Sequence, residues 1–349
     1  PNGLSSMMID EEYYMSIVVP AYICFCFGAL VVKREGKMPD LMVRENPDFI
    51  IFLLVAVVIG KILQRLPGFG VVGVLLDHLL ICAVVYSLFT PYRIFALILA
   101  LYQMGSVIVG SLAIGMFHDL LLQGFWFGSF FLYRIKASRL TVMIFLAVAI
   151  STVSVCQFVK RTYRAQATAD VVYNVETFYA LAEEKISTPH VSSYDEDFWI
   201  RFNQGWHIAH VIFYMDRTGD YKYGETILDT FSSVLLPRFL APNKRNAGGR
   251  ENMETMTFYR LKETTSMNIS YVGEGYGNFG KTGCWIFMIC IGMALAGLEK
   301  LVYFLHEKYG FFIFFMPAIL LFCIRAENDL LTAFSWAFRM FLISSLIIY

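Results

Sequence analysis

Tyr13–Val32, YYMSIVVPAYICFCFGALVV, runs for 20 residues without a charged side chain. A helix needs about 20 apolar residues to cross the hydrocarbon core of a bilayer, and this stretch has that length. Comparable segments follow at Phe49–Leu63, Phe69–Thr90, Arg93–Met116, Leu120–Tyr133 and Leu140–Val159, then at Thr282–Leu305, Phe311–Ile324 and Leu330–Tyr349. Phe49–Leu63, Leu120–Tyr133 and Phe311–Ile324 are short, so they read as tilted, re-entrant or extended by snorkelling residues. Hydrophobic residues make up 57% of the chain and charged residues 16%, well under the roughly 25% charge of a soluble domain. Barrel-type alternation is absent, and backbone facing lipid must satisfy its own hydrogen bonds. The expected fold is an all-α polytopic membrane protein with about nine transmembrane helices.

One long polar stretch interrupts this pattern. It divides the chain into an N-terminal transmembrane bundle over residues 1–159, a large loop over 160–281 and C-terminal transmembrane helices over 282–349. Lys33, Arg34, Lys37 and Arg44, with Arg134, Lys136 and Arg139, sit in short loops on one side, which the positive-inside rule makes cytoplasmic. Lys61 and Arg65 count the other way, but the balance places the large loop outside, in the periplasm. The first residue is Pro1 and no leader is recognisable, so one or more upstream helices are expected. Within the loop, Asp170–Lys185 and Tyr223–Pro237 carry helical spacing and read as short amphipathic helices along the outer membrane surface. Asn243–Glu254, rich in Gly and Asn, reads as a flexible turn.

The formal net charge is zero, which removes any general attraction to nucleic acid. All 7 cysteines fall in apolar segments and no Cys/His spacing suits a metal. Chemistry is therefore sought in the loop. Leu236–Arg245 (LPRFLAPNKR), with Arg250 and Arg260 beyond it, clusters cations whose guanidinium forks fit a diphosphate; anchoring to anionic headgroups is the alternative. Gly273–Gly280 (GEGYGNFG) interleaves glycines with Glu274, Tyr276 and Asn278. Either Glu274 serves as a general base, or the octapeptide is an irregular turn feeding a helix at Thr282. His207 and His210 are three apart and share a helix face, suited to interface packing or to acid–base work. Arg201 precedes them in the same aromatic stretch. Glu327 and Asp329 read as acids placed at the start of the helix that follows.

These elements resemble the Wzy-type O-antigen and oligosaccharide repeat-unit polymerases. The residues that carry the resemblance are Pro237-Arg238-Phe239, Pro242-Asn243-Lys244 and the Gly-Glu-x-Tyr-x-Asn-Phe-Gly pattern at Gly273–Gly280. The motifs cover roughly the second half of the chain, and helix architecture covers the rest. The resemblance implies a multi-pass glycosyltransferase of the bacterial inner membrane, metal-independent and without a cofactor. Such an enzyme joins undecaprenyl-pyrophosphate-linked oligosaccharide repeat units into O-antigen or a related surface polysaccharide on the external face. By the same analogy Arg238, Lys244, Arg250 and Arg260 hold the pyrophosphates, and Arg201 joins them in binding substrate. Glu274 would activate the acceptor hydroxyl with His207 in reserve, and Tyr276 and Asn278 would orient sugars. Membrane lipid and a chain-length regulator or flippase are the further partners implied. The chain departs from the family by its start and by having fewer spans. An O-antigen ligase, a transporter or flippase for lipid-linked sugars, and a scaffold of an export complex are the competing readings.

Overall fold

The computed structural model describes residues 7–32, 41, 47–115, 117–166, 170–187, 205–235, 244–263 and 265–348, and among them all regular structure is helical. Two compact units are formed, one from Pro39–Arg201 and one from Pro1–Met38 with Phe202–Tyr349. Among the described residues, six helices have the length and apolar composition to cross a membrane. Gly70–Leu88, Ile94–Ala113 and Arg139–Gln157 belong to the first unit; Glu11–Val32, Ser270–Tyr309 and Leu330–Ile348 belong to the second. An all-α membrane architecture is what such a set of helices supports.

The Pro39–Arg201 unit contains α2 (Pro47–Leu63), α3 (Gly70–Asp77), α4 (Leu79–Leu88), α5 (Arg93–Ile114), α6 (His118–Arg134), α7 (Arg139–Gln166) and α8 (Val171–Ser187). The run at Phe69–Thr90 is nearly one helix, divided into α3 and α4 at His78. There the ring nitrogen Nδ1 lies 2.8 Å from the Val74 carbonyl. Every residue from Leu79 to Ser87 is buried, so α4 is the unit's central rod. A second cluster, Leu112, Phe117, Val159, Tyr163 and Leu181, joins α5, α7 and α8, and the Tyr163 hydroxyl donates to the Leu112 carbonyl at 2.6 Å. Leu140, Met143, Ile144, Val148 and Ile150 of α7 are exposed, as expected of a face turned to lipid.

The other unit carries α1 (Glu11–Val32), α9 (Gly205–Thr218), α10 (Glu225–Leu235), α11 (Arg250–Thr255), α12 (Ser270–Tyr309), α13 (Met316–Ile319) and α14 (Leu330–Ile348). α1 lies along α12. An added Cβ at Gly28 would fall 2.2 Å from the Ile289 carbonyl oxygen, and one at Gly292 2.2 Å from that of Phe25. Only glycine permits such backbone contact, the small-residue device of membrane helix pairs.

Two expectations are corrected here. Phe311–Ile324 is not a spanning helix: a 3-10 turn over Phe312–Phe315 and the four-residue α13 take its place, almost wholly buried, which fits the re-entrant alternative and not a tilted or extended span. Pro317 lacks an N–H and is accommodated at the start of α13, so helix restarts there instead of running through. Gly273–Gly280 is not a turn either. α12 begins at Ser270 and continues through Phe279, breaking only at Gly280, whose φ of 67° and ψ of −166° are open to glycine alone.

Candidate functional site

The helical segment before the Gly280 break is buried from Ser270 to Asn278. Its glycines serve close packing. A Cβ at Gly275 would meet Phe287 at 2.7 Å, and one at Gly277 would meet the Met256 sulfur at 2.5 Å. Glu274 and Asn278 point inward with no exposed surface. The Thr226 hydroxyl donates to Glu274 Oε1 at 2.9 Å, and the Leu330 amide donates to Oε2 at 2.7 Å. Asn278 Nδ2 donates to Thr226 Oγ1 at 2.8 Å and to the Glu274 carbonyl at 2.9 Å, while Asn278 Oδ1 accepts from the Gly224 amide at 2.9 Å. Glu274 therefore ties the starts of α10 and α14 to α12.

A second carboxylate shares this helix end. Asp329 accepts from the Thr332 amide at 3.0 Å through Oδ1, an N-cap bond. The sequence reading of Asp329 as an acid at a helix start agrees with this geometry. Its other oxygen accepts from Asn252 Nδ2 at 2.9 Å, and Asn252 Oδ1 accepts from Arg245 Nη1 at 2.8 Å. Arg245 also pairs with Asp229 at 2.7 Å and faces Glu251 at 3.8 Å. Asn243–Glu254 is thus no plain flexible turn. From Lys244 onward it is an ion-paired segment that ends in α11, because Asn252 reaches a buried carboxylate on another helix.

Arg250 and Arg260 come together around Glu254. Arg250 Nε lies 3.3 Å from Glu254 Oε1, and Arg260 Nη1 donates to the Glu254 carbonyl at 2.8 Å. The Leu261 amide, with Arg250 beside it, holds Glu254 below the usual carboxylate range. Lys244 Nζ donates to the Ser233 carbonyl at 2.9 Å on α10. Arg201 and Arg238, with Pro237, Phe239, Pro242 and Asn243 of the motifs, lie outside the described residues.

Tyr276 is buried, and its hydroxyl donates to Asp216 at 2.6 Å and lies 3.1 Å from the Tyr13 hydroxyl. Asp216 itself is exposed at the end of α9. Lys281, just past the break, donates to Ser16 at 2.9 Å and sits over the rings of Tyr13 and Trp285. Asp216, Asn252 and Thr226 were not singled out from sequence. Nothing local marks them, since each acquires its partner from a distant segment.

His210 is buried with Nδ1 toward the Trp206 carbonyl at 2.9 Å and Nε2 toward the Tyr259 hydroxyl at 3.1 Å. His207, on the same helix, is half-buried beside Trp206. Burial, with His210 adjacent, lowers its pKa to about 4. A histidine depressed on folding takes up its proton first in the unfolded chain, so folding stability rises with pH between about 4 and about 6.5 and is flat above that window. The thermal midpoint in detergent is expected to fall between about pH 7 and about pH 5, and less so in His207→Gln. An identical acid slope in the variant would assign the loss to other groups.

No protein-family model, curated protein or solved structure matches this chain. The functional reading therefore rests on the residues and their geometry.

Proposed function

We propose that this protein is a lipid-linked glycan polymerase of the Wzy type. On this reading it crosses the bacterial inner membrane several times and presents residues 160–281 at the external face. The observation that carries the proposal is the gathering of Arg250 and Arg260 on Glu254, one helix away from the octapeptide that bears the family pattern. Gly277 packs directly on Met256, immediately after α11, so motif and cations form one assembly. In the reaction the acceptor hydroxyl attacks the anomeric carbon and the bond to the pyrophosphate breaks. Undecaprenyl pyrophosphate leaves with the electron pair. Arg250, Arg260 and Lys244 stabilise that departing charge as a preorganised clamp, and the family pattern adds Arg238 as a further pyrophosphate ligand.

A base must be reachable by the acceptor. Glu274 has both oxygens engaged and no exposed surface, so we assign it to anchoring. The proton goes instead to Asp216, which is exposed and oriented by Tyr276. His207 remains a candidate on the same helix.

The test is incubation of the full-length purified protein with a lipid-linked repeat unit, without nucleotide sugar, followed by a glycan gel. A ladder is expected from the native protein. Arg250→Ala and Arg260→Ala are each expected to reduce extension at least about 100-fold, the scale of losing one transition-state charge contact, with protein levels unchanged. Polymer at the normal rate from both variants would dismiss the clamp. A single shifted band that requires a lipid acceptor would identify a ligase.

A further inference from the structure

α10 is amphipathic in the reverse sense to a helix that lies on a protein in water. Its buried residues are Thr226, Thr230 and Ser233, spaced along one face. Leu228 is 71% exposed, Phe231 52% and Leu235 59% along the other face. The inward face is polar because it meets polar groups. Thr226 bonds Glu274, Asp229 pairs with Arg245, and the Ser233 carbonyl accepts from Lys244. Among the described residues the outward stripe meets no such polar partner, and it continues into an apolar groove. That groove, of about 510 Å³, lies between α10, α12 and α14, with Phe231, Phe279, Ile286, Leu330 and Phe334 among its walls. It follows α12 from Gly283 to Ala294, a length of about 16 Å at 1.5 Å per residue.

Two observations identify what covers this surface. The two longer helices that wall the groove, α12 and α14, are of membrane-spanning length, and Ile286 in the groove wall is 61% exposed. The residues that lead into α10 change character in the order expected at a membrane boundary. Asp220 and Glu225 are exposed and Tyr223 is 80% exposed, before Leu228, Phe231 and Leu235 begin. Tyrosine favours the headgroup level, where its ring and hydroxyl meet different surroundings. A helix with a polar face turned to the protein and an apolar face turned outward is what the hydrocarbon region selects. Non-spanning backbone is tolerated at that depth when its polar side is covered by protein.

We infer that α10 is embedded in the bilayer, with the acyl chains of membrane lipids covering the Leu228–Phe231–Leu235 stripe and filling the groove beside it. The inference is independent of the reaction proposed above. It places Thr226, Glu274 and Asn278 directly behind a lipid-facing helix.

The experiment is photocrosslinking of the full chain in phosphatidylcholine–phosphatidylglycerol vesicles. p-Benzoylphenylalanine replaces Leu228, Phe231 or Leu235, with Ile286 as the lipid-facing control and Asp220 as the aqueous control. After irradiation, the α10 sites are expected to gain the mass of one phospholipid, attached through an acyl chain, as Ile286 does and Asp220 does not. Lipid adducts at Ile286 with none at the three α10 sites would overturn the inference. So would adducts at those sites to a second copy of the chain or to another protein. Phe231→Tyr, which keeps the shape, checks folding independently: its elution and thermal midpoint should match the native protein.

Discussion

Replacing Glu274 with alanine is expected to destabilise the protein by about 2–6 kcal/mol, because it strands two buried donors whose loss of partners costs about 1–3 kcal/mol each. Those donors are the Thr226 hydroxyl and the Leu330 amide. The second matters for α14, whose first-turn N–H groups have no partner within the helix. Glu274 and the capping Asp329 together supply acceptors to that end, for the Leu330 and Thr332 amides respectively. Glu274→Gln keeps the size and one acceptor oxygen for Leu330, and its amide can donate to Thr226 Oγ1. It is therefore expected to fold with a midpoint close to native and to retain polymer formation. The pair of variants separates anchoring from catalysis. If Glu274→Gln folds normally yet makes no polymer, the carboxylate is the base and the assignment to Asp216 fails. Thermal unfolding in detergent and the glycan gel, run on one preparation, read both quantities.

Gly28→Val and Gly292→Val are the next largest expected effects. At each site a Cβ would stand 2.2 Å from a carbonyl oxygen of the facing helix, where the obstacle is backbone and no side-chain rotation relieves it. Overpacking of a tight core costs about 1–3 kcal/mol, and valine should reach the upper end because α1 must move away from α12. Displacing α1 also parts the Trp285 indole from the Ile17 carbonyl, now 3.1 Å apart, and Lys281 from Ser16. A change in tryptophan emission should thus accompany the lower midpoint. Gly297→Ala is the control. That position on the same helix has open space around a Cβ, so alanine should be neutral or stabilise by up to about 1 kcal/mol through helix propensity. If Gly28→Val and Gly292→Val unfold at the native temperature, the close crossing is not a constraint on this pair.

The same helix shows why part of the site could be read early and part could not. Apolar run length is a local quantity, set by the thickness of hydrocarbon and by the need of backbone to bond itself there. Glu11–Val32, Arg93–Ile114 and Leu330–Ile348 accordingly appear close to where their sequences placed them. Helix starts are similarly local, and Asp329 caps the helix it precedes. Amphipathic spacing located α10 to within a few residues. Spacing carries no sign, however, and does not say which face is covered. Thr226, Thr230 and Ser233 face inward because Glu274, Arg245 and Lys244, from elsewhere in the chain, come to meet that side.

The octapeptide makes the same point. Alternating glycines with polar residues reads as exposed, flexible backbone, and no local rule says otherwise. Only the packing of Phe287 and Met256 against Gly275 and Gly277 turns those glycines into contact points of a buried helix. The membrane class and the positions of most helices were thus determined by sequence alone, through composition and run length. Burial of Glu274, the pairing of Arg250 with Arg260 across Glu254 and the outward apolar face of α10 were decided by tertiary structure. Each of them depends on which distant segment covers a given face, a relation that no stretch of sequence contains.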